Sequence, residues 1–375
     1  MNRLHLAKSY HPGLRISGDS QCDDVRLMRD GLEALQKGKE VQVGSAGTVL
    51  RFLALRASRL PGQHKLVGTE RLFERPQLDI LKILRQLGVE GELKKDHLTL
   101  KSDGWKLHGD TLLVPFTKSS QFASSVLLNS WDLPFDLFVS LGGQKISEGY
   151  WRMSLKLAQD LGMRIDFWDG DFRVPKGQKV TADEIAAEMD VSSAFVLAAI
   201  AAVSGSAHFP DFPEHSLQPD VAFVPIMGAM GVPIHYSGTT LKVEKAGTLR
   251  AVAADLKTCP DLFPVLAALC ALAEGESLLY GAPQLAHKES HRIQKVNELL
   301  VRFGRQTEMR DDGLKISGPL PAPGSAAFEF DCDQDHRLAF AAAVLRAAGH
   351  PVKILTPEVV SKSFPEFWQI LGDRP

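Results

Sequence analysis

One pattern recurs along this chain and constrains its fold more than any other feature. An amphipathic helical stretch ends at a glycine, and a strand, a polar turn and a second strand follow. "LDILKILRQLGVEGELKKDHLTL" has it at Gly88, "SLKLAQDLGMRIDFWDGDFRV" at Gly162, "FVPIMGAMGVPIHYSGTTLKV" at Gly231 and "VNELLVRFGRQTEMRDDGLKI" at Gly304. A last helix, "FPEFWQILG", stops at Gly372. The step between successive glycines is about 70 residues, and a fixed period of this kind defines a repeat architecture. Glycine just past a helix takes the left-handed conformation that other residues adopt only at a cost. "WDGD", "YSGT" and "RDDG" read as hairpin turns. The implied fold is α/β, one strand–helix unit used several times. An earlier copy, "LMRDGLEALQKGKEVQV" at Gly38, reaches "GSAG" without a full hairpin, so the N-terminal copy reads as trimmed.

The bulk properties narrow the function classes. At 375 residues the chain exceeds what one core usually supports, so two domains are expected. A net charge of −2 gives no reason to expect nucleic acid or an anionic membrane as partner. No apolar run reaches the roughly 18–20 residues of a membrane-spanning helix. "AFVLAAIAAV" and "LFPVLAALCALA" are shorter and read as buried helices. The start, "MNRLHLAKSYHPG", has no signal-peptide core. Cys22, Cys259, Cys270 and Cys332 lack metal-ligand spacing and fit a reducing compartment, so a cytoplasmic protein is expected. A monomer fits this near-neutral, two-domain chain.

Several motifs between the repeats place polar groups at helix starts. "GSAGTVLRFLAL" is a turn of small residues opening an apolar helix, with Arg51 about two turns in. Free amides at such a start can hold an anion, although a plain helix cap explains the motif alone. "TKSSQFASSVLL" opens another helix with Thr117, Ser119, Ser120 and Gln121; capping accounts for one or two of these four. "GTERLFERP", "DQDHRLAF" and "VVSKSFPEFW" contribute Arg75, Arg337 and Lys362. "AHKESHR" sets Lys288, Glu289 and Arg292 before the apolar pattern Ile293, Val296, Leu299, Leu300, Phe303. Asp261, in "TCPDLFPVLAAL", reads alone as a cap on the following helix. If the repeats bring their helix starts together, Arg51, Arg75, Lys288, Arg292, Arg337 and Lys362 converge. Convergent cations with the acids Asp261 and Glu289 describe a site for a multiply anionic substrate with acid–base chemistry.

The ordered motifs "DDVRLM", "GSAGTVLR", "ERP", "SSQF", "SEGY", "PD", "HKESHR", "DHRLAF" and "SKSFPEF" resemble the 5-enolpyruvylshikimate-3-phosphate synthases, the 3-phosphoshikimate 1-carboxyvinyltransferases, from about Asp23 to the end. The resemblance implies a two-domain enolpyruvyl transferase fold with a cleft between the domains. Each domain would hold three βαβαββ repeats, the first of them truncated. The domains would be residues 10–186, on the shikimate 3-phosphate side, and 187–375, with residues 1–9 free to join the second. It implies transfer of the enolpyruvyl group of phosphoenolpyruvate to the 5-hydroxyl of shikimate 3-phosphate, with small-molecule substrates and no metal or organic cofactor. By resemblance, Ser119, Ser120, Gln121, Ser147, Tyr150, Gln284 and Lys288 contact shikimate 3-phosphate. Asp261 binds its hydroxyls and is the base. Glu289 moves a proton at the phosphoenolpyruvate methylene. Arg75, Gln121, Arg292, Arg337 and Lys362 surround phosphoenolpyruvate, beside a tight turn at Gly47 and Thr48.

The chain departs from the family at its start. The family begins with a Gly-Ser-Lys-Ser segment followed shortly by an arginine, and the nearest counterpart here is "AKSYHPGLR". On that match Lys8 is a catalytic lysine, and Ser9 and Arg15 are shikimate 3-phosphate contacts. Ser45 replaces an asparagine, Glu148 stands where a neutral or basic residue is common, and Gln284 replaces an asparagine. Two other readings are a non-catalytic binding paralogue and a UDP-N-acetylglucosamine enolpyruvyl transferase. The first would be marked by loss of Asp261, Glu289 or the arginines. The second has a cysteine on the loop that is "LVGTERLFERP" here, where none occurs.

Overall fold

The computed structural model describes residues 1–117, 119–143, 147–322 and 327–372. The chain divides into two units, Met1–Ala187 and Glu188–Pro375. Each has its own apolar core, one drawn from residues between Leu6 and Val180, the other from residues between Val191 and Phe367.

The first unit contains α1 (Asn2–Lys8), α2 (Asp23–Gln36), α3 (Gly47–Ala57), α4 (Glu70–Glu74), α5 (Leu78–Gln86), α6 (Gln121–Leu128) and α7 (Glu148–Asp160). Strands Val41–Gly44 and Gly62–Gly68 pair in parallel across α3. After α5 the chain forms a hairpin of Glu90–Leu93 and His97–Ser102, whose second strand pairs antiparallel with Gly62–Gly68. Leu112–Pro115, Leu137–Gly142, Asp166–Trp168 and Asp171–Val174 repeat this order around α6 and α7. A parallel pair requires a crossover, and the helix supplies it while covering one face of the sheet.

The second unit contains α8 (Val191–Ser204), α9 (Phe223–Ala229), α10 (Phe263–Ala271), α11 (Arg292–Phe303), α12 (His336–Ala347) and α13 (Phe367–Leu371). Ala253–Asp255, Ser277–Tyr280, Gln306–Arg310 and Gly313–Ser317 form the same four-stranded sheet around α10 and α11. The expected stops are present: Gly88, Gly162, Gly231, Gly304 and Gly372 all have positive φ. At Gly162, with φ of 101°, a Cβ would stand 2.1 Å from Thr181 Oγ1, so glycine is required for space as well as for torsion. In "WDGD", Asp169 and Gly170 both have positive φ, the pair a tight two-residue hairpin demands. α8, α10 and α12 are apolar on nearly every side and sit buried against one another.

Two details lie beyond the expected pattern. Truncation is not confined to the first copy. The strand that precedes α8, Glu184–Ala186, pairs in parallel with Arg15–Ser17 of the first unit, so the α8 copy has a three-stranded sheet. Among the described residues the last copy keeps only the pair Phe328–Phe330 and Val352–Ile354 before α13. Residues 1–9 do not join the second unit. They form α1, whose Leu4, Leu6 and Ala7 are buried and which packs on α2, α3 and α6. Among the described residues no helix is long and apolar enough to cross a membrane.

Candidate active site

The second unit gathers charge at three places that local sequence sets close to buried helices. Asp261 lies in a 3-10 turn, Pro260–Leu262, that runs into α10; its side chain does not cap that helix. It is instead the meeting point of three cations. Lys288 Nζ lies 3.2 Å from Asp261 Oδ1, Arg292 Nη1 lies 2.8 Å from the same oxygen, and Arg337 Nη2 lies 3.2 Å from Oδ2. Arg337 Nη1 also donates to the Asp261 carbonyl at 3.0 Å. Arg292 opens α11 and is buried; besides Asp261 it reaches Glu289 Oε2 at 3.0 Å and Asp335 Oδ2 at 2.8 Å. Lys362 closes the 3-10 turn Pro357–Lys362 and is buried, as is Gln284 in the turn Pro283–His287.

The electrostatics follow from this packing. Burial alone would raise the Asp261 carboxyl, but Arg337, Lys288 and Arg292 outweigh it and hold the group well below the usual carboxylate range. Burial works against the Arg292 charge, and Asp335, Glu289 and Asp261 more than restore it. Burial pushes His336 down to about 3, against Asp335, so its ring is neutral at physiological pH; Glu289 and Lys362 also act on it.

The first unit gathers hydrogen-bonding groups at the starts of α3 and α6. Arg51 Nη1 donates to Gln121 Oε1 at 2.6 Å and to Ser119 Oγ at 3.2 Å, and its Nε donates to Gln77 Oε1 at 3.1 Å. Gln121 Nε2 donates to Thr48 Oγ1 at 2.9 Å, and Ser120 is buried beside it. Arg75 is buried against Gly47: a Cβ there would stand 3.1 Å from its guanidinium nitrogens. The missing side chain is what admits the arginine. Ser147 heads α7 in the left-handed conformation, and Tyr150 lies one turn on. Glu148, in the same turn, forms an exposed pair with Arg152.

Lys8, Ser9 and Arg15 stand apart from this set. Lys8 is exposed at the last position of α1. Ser9 accepts from Arg56 Nε at 3.0 Å near the end of α3, about 12 Å along that helix from Thr48 at 1.5 Å per residue. Arg15 is exposed and pairs with Glu184 at 3.0 Å. "NRLHLAK" is a helix whose apolar residues pack inward, which leaves its end, Lys8, at the surface.

Two residues escaped the sequence reading. Asp335 caps α12 by accepting from the Arg337 amide at 3.0 Å while its oxygens also take Arg292 and Ser290. The signal was the aspartate immediately before "HRLAF". Arg3 donates to Ser154 Oγ at 2.7 Å and to the Tyr150 carbonyl at 3.3 Å, and lies over the Phe52 ring. Burial lowers it to about 10. An arginine inside the stripe Leu4, Leu6, Ala7 marked it, once the segment is seen as helix.

Repeated βαβαββ copies in two units, with a cation-rich site on a carboxylate, define an enolpyruvyl transferase type of fold. The solved EPSP synthase from Acinetobacter baumannii matches with a TM-score of 0.75 at 20% identity, covering 99% of this chain and 92% of that one. The enolpyruvyl transferase NikO from Streptomyces tendae matches with a TM-score of 0.75 at 15% identity, with the same coverage. The profile of EPSP synthase (3-phosphoshikimate 1-carboxyvinyltransferase) matches residues 14–371, and the chain belongs to that family. The 3-phosphoshikimate 1-carboxyvinyltransferase of Methanoculleus marisnigri is 32% identical over 95% of this chain and 90% of its own length. That of Thermococcus kodakarensis is 32% identical over 99% and 94%.

Proposed function

We propose that this protein transfers the 1-carboxyvinyl group of phosphoenolpyruvate to the 5-hydroxyl of shikimate 3-phosphate and releases phosphate, a step of the shikimate pathway to aromatic amino acids. The observation that supports it most is the convergence of Lys288, Arg292 and Arg337 on Asp261, with Glu289 on Arg292.

In this reading Arg75, Arg292, Arg337 and Lys362 neutralise the phosphate and carboxylate of phosphoenolpyruvate, with Gln121, Gly47 and Thr48 alongside. Ser119, Ser120, Gln121, Ser147, Tyr150 and Gln284 hold shikimate 3-phosphate. Arg3 joins them as a half-buried cation whose neighbours among the described residues are the Ser154 hydroxyl, the Tyr150 carbonyl and the Phe52 ring. Glu289 gives a proton to the enol methylene. Asp261 takes the proton of the 5-hydroxyl as its oxygen bonds to the adjacent carbon. The tetrahedral adduct then loses a proton from the new methyl group and expels phosphate, which restores the double bond. Positioning and fixed charge supply the acceleration. Three cations hold Asp261 acidic without substrate. As anionic oxygens draw Lys288, Arg292 and Arg337 away, Asp261 becomes more basic when a base is needed.

The test is phosphate release from the purified protein with both substrates. Release should require both, and Glu289→Gln should lower its rate by about 10²–10⁴-fold. Folded wild-type protein that releases nothing with both present would overturn the reading.

A further inference from the structure

Arg337 has a second acidic neighbour that the reaction above does not use. Asp220 lies buried in the 3-10 turn Pro219–Ala222. Its Oδ2 accepts from the hydroxyl of Ser192, on the first turn of α8. The same Ser192 oxygen lies 3.5 Å from Arg337 Nη2, the nitrogen that also reaches Asp261. The turn is fastened to the start of α8 by Gln218, which accepts from the Val191 amide at 3.0 Å and donates to the Met189 carbonyl at 2.8 Å.

A structural role alone does not account for an acid here. An amide would accept the Ser192 hydroxyl equally well without the cost of burying a charge. The charge acts on the cation beside it, Arg337. We propose that Asp220 is a positioning residue for Arg337: through Ser192 and through its own charge it holds the guanidinium in place while the substrate takes over from Asp261. An anion that displaces the Asp261 carboxylate takes one of the protein contacts that orient the Arg337 guanidinium. With Asp220, the cation keeps a fixed protein counter-ion.

The groups facing Asp220 fix its titration. They are Arg337 from α12, Asp261 from the turn before α10, Asp190 at the start of α8 and the Cys259 thiol, itself pushed up to about 12 by burial. Burial raises Asp220 to about 6; Arg337 opposes this and Asp261 adds to it. Because the folded value lies above the ordinary 3.8, ionised Asp220 costs stability as pH rises through about 6. The residue therefore opposes stability at the pH where it serves Arg337.

The proposal rests on the transferase reading for the identity of the substrate, and two readouts separate the two ideas. The first is phosphate release against phosphoenolpyruvate concentration from pH 5 to 9. Asp220→Asn should raise KM for phosphoenolpyruvate about tenfold or more, change kcat by less than about threefold, and remove the acid-side fall near pH 6. Its melting temperature at pH 8 should not drop, whereas a purely structural aspartate would lose stability and leave KM alone. The second readout needs no turnover. The side-chain N–H signals of Arg337, assigned by their loss in Arg337→Lys, should shift between pH 5 and 7 in wild type and not in Asp220→Asn. An inactive wild type would remove the transferase reading and leave this test standing. Arg337 signals that ignore pH, or a wild-type KM and pH profile in Asp220→Asn, would overturn the proposal. Should Asp220→Asn not fold, Ser192→Ala replaces it: a KM within about twofold of wild type and unmoved Arg337 signals would overturn it equally.

Discussion

The two units build their polar clusters by the same local device and fill them differently. In the first, Arg51 reaches amides and hydroxyls: Gln77, Ser119 and Gln121. In the second, Arg292 reaches three carboxylates, Asp261, Glu289 and Asp335. Both arginines project from the N-terminal part of a helix and both are buried. The first cluster, a buried guanidinium held by neutral acceptors, can recognise hydroxyls and phosphate oxygens by hydrogen-bond geometry and keeps its positive charge for an anion. The ionic cluster can answer charge that develops during a reaction, but every member depends on its partners to remain buried.

The sharpest way to break the comparison is the same substitution in each unit. Arg292→Met takes the guanidinium from Glu289 and Asp335 and one of three cations from Asp261, and should cost about 3–5 kcal/mol of stability in a urea titration. Arg51→Met leaves amides and hydroxyls short of a donor and should cost about 1–3 kcal/mol, with a raised KM for shikimate 3-phosphate. Equal losses would mean that the two clusters are not built on different principles.

A pH series sharpens the contrast. His336 sits among the ionic residues with its folded value lowered to about 3 from an ordinary 6.5. Between those values the unfolded chain binds a proton that the folded one refuses, so stability falls as pH falls through that window. The His336 contribution from pH 7 to pH 5 should be a loss on the order of 1–2 kcal/mol, opposed by the gain from Asp220, and is read as the difference in urea midpoints between wild type and His336→Gln at the two pH values. A wild-type-minus-variant difference that does not change with pH would show that His336 is charged in the folded protein. The smallest effects are expected at the start of the chain. Lys8→Ala and Arg15→Ala touch only exposed groups and should change stability by less than about 0.5 kcal/mol and leave phosphate release unaltered. A large rate loss in Lys8→Ala would bring that lysine back into the site.

Much of the candidate site was legible in the sequence, because it is assembled from helix starts. "AHKESHR" and "DQDHRLAF" announced Lys288, Glu289, Arg292 and Arg337, and "SSQF" announced Ser119, Ser120 and Gln121. What the motifs did not reveal was pairing. Asp261 read alone as a cap, yet it binds cations 27, 31 and 76 positions away. Asp335 was visible only as a neighbour of Arg337, although its carboxylate also anchors Arg292, 43 positions earlier.

The sequence by itself determined the repeat, the left-handed glycines that end its helices and the buried character of α8 and α10, because each depends on torsions and periodicity within a few turns of chain. It also determined which charges open the helices. Only the tertiary structure decided that Asn2–Lys8 is a helix of the first unit, with Arg3 half-buried and Lys8 exposed. Only it decided which acid each cation meets. Those outcomes turn on packing between residues far apart in the chain, and local spacing holds no information about such distances.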